Sequence, residues 1–242
     1  MEGVEDLKVE SYFREGIKKG IPIALGYLSV SITFGMIAAR GGLDVSTAVL
    51  ISMTNLTSAG QFAGVDLILN NAIYMELALT IFIINIRYAL MSFAISQKLE
   101  KTSLIKRMII AFGITDETYT LASVEEGKIN YKFMFGLILI PYLGWALGTF
   151  IGAISTEFMP ANLQDALGIA LYGMFLAIII PAGKKDKNIA LGIVISIVFS
   201  FIIFYFPYLN KISSGFSIII CSLIGALIMA KLKPIMEEQI CI

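Results

Sequence analysis

Histidine is absent from the 242 residues, cysteine occurs twice, and charged residues make up only 15% of the chain. With no histidine and no CxxC pair, the usual zinc and iron ligand sets cannot be assembled, and neither a metal nor a cofactor is expected. Cys221 falls inside an apolar run and Cys241 at the extreme C-terminus, so two unpaired thiols are expected. Eighteen basic residues balance eighteen acidic ones. No basic stripe lies outside short loops, which removes the electrostatic case for a nucleic-acid partner. A GxxxxGK(S/T) phosphate loop is missing as well, so energy for any transport has to come from a gradient or a separate subunit. Residues 1 to 19 lack the apolar core and small-residue cleavage site of a secretory signal, and the first apolar segment is expected to be retained.

What is abundant is apolar surface, at 57% of residues, where a soluble domain holds nearly twice the charge. A helix crosses a bilayer core with about 20 apolar residues. Gly20 to Ala39, Phe133 to Thr156, Ala166 to Gly183, Asn188 to Asn210 and Ile212 to Ala230 each run without a charge except at their borders. Charges punctuate these runs, as when they are confined to loops. The pattern predicts an all-α, polytopic transmembrane helix bundle. It forms one membrane domain, with a polar N-terminal segment 1–16, a helical core 17–231 and a short cytoplasmic tail 232–242.

Three less regular apolar regions lie between the clear spans: Val45 to Val65, Leu67 to Gln97 and Met108 to Val124. The second is long enough to cross, with Glu76 near its start and Arg87 well inside. The first and third read as broken, at Gly60 and at Gly113. Basic clusters (Lys8/Arg14/Lys18/Lys19, Lys98/Lys101/Lys106/Arg107, Lys184/Lys185/Lys187 and Lys231/Lys233) belong in the cytoplasm by the positive-inside rule. Placing all of them inside, with both termini, requires 45–70 to dip in and return as a pair of half-helices. The expectation is six full spans plus two broken or re-entrant segments, the alternative being eight spans. A weak internal echo aligns Tyr27-Leu28 with Tyr142-Leu143 in two segments running the same way, a hint of a parallel repeat. Trp145, Tyr142 and Tyr208 fit an interfacial aromatic belt.

Three places carry polar groups where membrane burial demands partners. Ser52 to Phe62 holds Asn55, Thr57, Ser58, Gly60 and Gln61. If helical, Thr54, Thr57, Ser58 and Gln61 line one face, and a break at Ser58-Ala59-Gly60 would expose a half-helix N-terminus able to attract a carboxylate. Small and hydroxyl residues also serve close helix packing, but the amides of Asn55 and Gln61 exceed what packing needs. In Asn85-Ile86-Arg87, a guanidinium inside an apolar segment demands a partner or a water-filled cavity. It either binds a substrate carboxylate or ties helices together through Asp116, Glu117 or Glu76. In Thr115-Asp116-Glu117, an acidic pair can meet an ammonium group or carry a proton, or simply open a helix at the interface. Asp66 and Glu76 read as weaker candidates at a loop edge.

Pro22-x3-Gly26-Tyr27, Phe34-Gly35 to Gly41-Gly42-Leu43, Ala59-Gly60-Gln61-Phe62, Asn85-Ile-Arg87 and Thr115-Asp116-Glu117, in this order and spacing, resemble the AzlC family across roughly residues 15 to 230. Two departures stand out: Tyr88 follows the arginine where histidine is common, and Asn55-Leu-Thr57 replaces a more apolar run. The resemblance implies the large subunit of a branched-chain amino acid exporter working with a small AzlD-like membrane subunit in the cytoplasmic membrane. It implies outward movement of leucine, isoleucine or valine, coupled to protons. Substrate binding would fall to Asn55, Ser58, Gly60, Gln61, Asn85 and Arg87, and proton coupling or ammonium binding to Asp116 and Glu117. An intramembrane hydrolase lacks supporting chemistry here. The remaining alternatives are a scaffold without solute binding, which would tolerate loss of Arg87, and a transporter of another small solute.

Overall fold

The computed structural model describes residues 2–156, 158–160, 162, 169, 173, 176, 179–209 and 211–233, with side chains from Tyr12 onward. Nine helices are delimited among them: α1 Glu2–Arg40, α2 Val45–Thr54, α3 Ala59–Leu69, α4 Tyr74–Lys98, α5 Leu104–Phe112, α6 Asp116–Ser123, α7 Tyr131–Ser155, α8 Lys187–Tyr205 and α9 Ser214–Leu232. No strand is formed among the described residues. Five helical segments are long and apolar enough to cross a membrane: Tyr12–Arg40, Tyr74–Lys98, Tyr131–Ser155, Lys187–Tyr205 and Ser214–Leu232. The sixth expected span, Ala166 to Gly183, lies largely outside the described residues, as does the expected tail beyond Lys233.

The chain divides into two compact units, Met1–Phe62 with Ile84–Ala170, and Ala63–Ile83 with Leu171–Ile242. In the first, α1 and α7 lie side by side along their length. Gly136 meets Phe13 and Ile17, Gly144 meets Ala24, and Gly152 meets Ile32, so both helices run the same way. This is the direction expected for the Tyr27 and Tyr142 segments. A side chain on Gly35 would strike the Thr149 carbonyl, with the Ala153 nitrogen at 2.8 Å. Only glycine allows that approach of backbone to backbone, the usual means by which membrane helices gain dispersion contact where lipid offers no hydrophobic drive. Gly42, at φ +93°, ends α1, and the Leu43 N–H returns to the Ala38 carbonyl at 3.0 Å.

Two broken segments fold against this pair: α2 with the start of α3, and α5 with α6. Ser52 of α2 and Gln61 of α3 are nine residues apart and joined at 2.9 Å, where a straight helix would separate them by about 13 Å. The chain therefore bends between α2 and α3. Its tip comprises the non-helical residues 55–57 and Ser58, which takes φ +46°. The second, the hairpin of α5 and α6, has a closed base: the Ile129 N–H donates to the Lys98 carbonyl at 2.8 Å and Glu100 N–H to the Ile129 carbonyl at 3.0 Å. Chain leaving α4 thus returns beside its own exit. Lys106 lies over the Tyr131 ring and Lys19 pairs with Glu125, which sets this hairpin where α7 begins, beside Lys19 in the middle of α1. The first segment follows the C-terminal end of α1. The two enter from opposite ends, and their tips, through Leu56 and Ile114, reach one core with Tyr27 and Trp145.

The sequence reading needs three corrections here. Gly60 does not break the first segment, since it lies inside α3 while the break is at 55–58. Thr54, Thr57, Ser58 and Gln61 consequently share no helical face. Trp145 is not part of an interfacial belt: it is 1% exposed and edge-on to Tyr27 at 5.1 Å. In the second unit, Glu76 is buried in the first turn of α4, accepts a hydrogen bond from Ser213, and faces Thr80 and Gly215. Asp66 accepts from Ser214 at 2.9 Å. These contacts tie α3 and α4 to the start of α9.

Candidate functional site

The site is built where the two tips meet α4. α4 is continuous, so Asn85, Arg87 and Tyr88 fall within one turn near its middle. Arg87 Nη2 lies 3.0 Å from Asp116 Oδ2, the first residue of α6, and 3.1 Å from the Tyr88 hydroxyl. The guanidinium also sits over the Tyr88 ring at 4.9 Å. Tyr88 in turn donates to the Thr57 carbonyl at 3.4 Å on the opposite tip. One ion pair and one hydroxyl therefore connect both tips to α4.

Local sequence explains each tip. Thr115 caps α6: its hydroxyl accepts from the Thr118 N–H at 3.3 Å, while the Thr118 hydroxyl accepts from the Thr115 N–H at 2.8 Å. This reciprocal cap fixes where the helix begins. It places Asp116 and Glu117 in the first turn, where the positive helix end favours carboxylates. Burial, the largest influence, lifts the Asp116 carboxyl above its ordinary value, while the Arg87 charge pulls it back down. On the other tip, Asn55 closes α2 through its N–H to the Ile51 carbonyl at 2.9 Å, and its side-chain oxygen accepts from Thr57 at 2.9 Å. α3 then starts with Gly60 against α4. A methyl on Gly60 would stand 2.9 Å from Asn85 Oδ1 and 3.2 Å from its Nδ2. Gly60 thus makes room for the Asn85 amide.

The N-terminal ends of α3 and α6 both open on this place, the arrangement by which discontinuous helices hold anionic groups. Three buried polar atoms around it have no hydrogen-bond partner: Ser58 Oγ, Asn85 Oδ1 and Arg87 Nε. Leaving such atoms unsatisfied costs about 1–3 kcal/mol each. Three in one neighbourhood leave donors and acceptors that water or a polar group can satisfy. The ion pair is open to one, since the Arg87 side chain is 40% exposed and that of Asp116 29%.

Of the sequence-selected residues, Asn55, Ser58, Gly60, Asn85, Arg87 and Asp116 come together directly. Gln61 lies behind the tip, buried and bonded to Ser52, which also pairs with Thr149 at 2.7 Å. Glu117 is turned toward α1, where it accepts from Tyr27. Tyr27 was missed as a site residue, as were Tyr88 and Thr115. The Tyr27 hydroxyl also reaches Thr115 Oγ1 at 2.7 Å, so α1 supports the second tip from behind. Among the described residues no cluster of metal-ligating side chains is present.

Residues 22–159 match the protein family described as AzlC protein. The chain is 32% identical to an uncharacterized membrane protein of Archaeoglobus fulgidus over 74% of this chain and 79% of that one. It is 28% identical to the inner membrane protein YgaZ of Escherichia coli, over 73% and 76%. It is 24% identical to the branched-chain amino acid transport protein AzlC of Bacillus subtilis, over 73% and 70%. No solved structure matches the chain.

Proposed function

Because the chain belongs to the AzlC family, we propose that it is a transport subunit for branched-chain, apolar neutral amino acids, acting as a secondary exporter in the cytoplasmic membrane with both termini inside. The observation that carries this reading is the set of unpartnered polar atoms around an accessible Arg87–Asp116 pair. A zwitterion inserted there can satisfy both charges. Its carboxylate takes the Arg87 guanidinium and the N-terminal end of α3, and its ammonium takes Asp116, with Glu117 close behind. Ser58, Asn85 and Asn55 complete the polar shell, with Gln61 supporting the tip from behind. The remaining spans supply apolar wall for the side chain, in keeping with pockets that are mostly apolar with a few placed polar groups.

A carboxylate whose proton affinity is raised by burial suits proton coupling. Protonated Asp116 gives up both Arg87 and the ammonium, so proton entry and substrate release become one event. A small AzlD-like membrane subunit completes the transporter. The rival reading, a scaffold that binds no solute, explains the ion pair but not the unpartnered Ser58, Asn85 and Arg87 atoms.

The deciding experiment is radiolabelled leucine flux in proteoliposomes, with and without the small subunit and an imposed proton gradient. Saturable, gradient-dependent flux lost in both Arg87→Ala and Asp116→Asn supports the proposal. A folded complex that moves no neutral amino acid under any gradient overturns the substrate class.

A further inference from the structure

Lys106 of α5 and Lys132 of α7 both approach the ring of Tyr131, with ammonium nitrogens 3.7 and 6.0 Å from its centroid. Neither has an acidic partner among the described residues. The Tyr131 ring stands edge-on to Phe135 at 5.7 Å. There an apolar groove of about 430 Å³ begins, lined by Phe13, Ile109, Phe112, Phe135, Leu139 and Tyr142. The spacing places the two lysines at its mouth. Lys106, Ile109 and Phe112 follow one another at three-residue steps along α5, and Lys132, Phe135, Leu139 and Tyr142 at steps of three and four along α7. Each row runs from one cation into continuous apolar surface. The same end of the unit carries Lys18, Lys19, Lys101 and Arg107.

We propose that this groove holds an anionic phospholipid, its phosphate between Lys106 and Lys132 and an acyl chain along Phe112 and Leu139. The occupant has to combine one negative end with an unbroken apolar tail, and a phospholipid of the cytoplasmic leaflet does so. The lipid braces α5 against α7 and thereby the hairpin that carries Asp116. This inference does not depend on what the protein transports.

Native mass spectrometry of the purified full chain, released from detergent micelles containing phosphatidylglycerol or phosphatidylcholine, tests it. Phosphatidylglycerol should be retained in preference to phosphatidylcholine by on the order of tenfold, the effect of two lysines near a phosphate. The double variant Lys106→Gln/Lys132→Gln should lose the preference, and Lys106→Arg/Lys132→Arg should keep it, which separates charge from folding. Leu139→Trp, which fills the groove, should reduce retention of both lipids. Equal retention by the wild type, or an unchanged preference in the double glutamine variant, overturns the proposal. So does a photo-crosslinker at Leu139 that captures a protein helix instead of lipid.

Discussion

The side-chain amide of Gln61 donates to the hydroxyl of Ser52 at 2.9 Å across the break between α2 and α3. That single bond constrains the path of the chain, because it requires a bend between Ser52 and Gln61 instead of one straight helix. It also buries Gln61 completely, so its remaining oxygen is left unpartnered behind the tip.

Cysteines at these two positions, in a background with Cys221→Ser and Cys241→Ser, should be joined by a short bifunctional thiol crosslinker whose span is below the separation of about 13 Å in a straight helix, seen as a mobility or mass shift. A chain that ran straight through the break would hold the two sulfurs beyond that span. Full recovery of unlinked protein would refute the bend.

The Arg87–Asp116 pair gives a test that separates binding from bracing. Removing either charge alone should lower leucine flux at least about tenfold, since the remaining charge stays partly desolvated without its partner. If the pair only braces helices, Arg87→Gln with Asp116→Asn should restore flux. If it binds the zwitterion, the double variant should stay inactive although its melting midpoint matches the wild type.

Because burial raises the Asp116 carboxyl, its titration lies above the ordinary carboxylate value. Above that midpoint the group is ionised and available to the substrate ammonium, and below it the group is neutral. Leucine affinity should therefore fall as pH is lowered through the raised midpoint, and Asp116→Asn should show weak affinity without that step. Calorimetric titration of leucine across pH reads this directly. A step that survives in the Asn variant would transfer the role to Glu117.

Tyr27→Phe keeps the ring against Trp145 but removes the hydroxyl that reaches Thr115 and Glu117. It should reduce leucine flux several-fold and lower the melting midpoint slightly, the loss of about 1 kcal/mol expected for one buried hydrogen bond. Flux equal to wild type would show that Glu117 needs no support from α1.

The parts of this arrangement that were legible in the sequence are those where a residue type contradicts its surroundings. Arg87 and the Asp116-Glu117 pair stand out because charge is expensive in an apolar run, and Asn55, Gln61 and Asn85 because amides are. The return of the first segment followed from the positive-inside argument. What escaped the reading depends on geometry that composition does not carry. The break fell at Asn55–Ser58, with Ser58 in the left-handed region, although Gly60 looked like the obvious hinge. Gly60 is needed for the space it leaves to Asn85, a contact between helices that no local pattern announces. Trp145 read as an interfacial aromatic because an amphipathic ring serves that role equally well, and Tyr27 entered only through the internal echo and the family pattern. Glu76 looked like a loop-edge acid because its partner, Ser213, lies 137 residues further on.

The notched contact between α1 and α7 has a consequence for movement. Where Gly35 sits against the Thr149 carbonyl and Gly152 against Ile32, advancing one helix by a turn of about 5.4 Å would drive bulkier residues into gaps sized for hydrogen atoms. The two cannot ratchet past each other, so they act as a fixed frame. Under the proposed transport, opening toward one side of the membrane and then the other falls instead to the segments that lean on that frame, α2 with the start of α3 and α5 with α6, which meet it through the Ser52–Thr149 bond and the shared core.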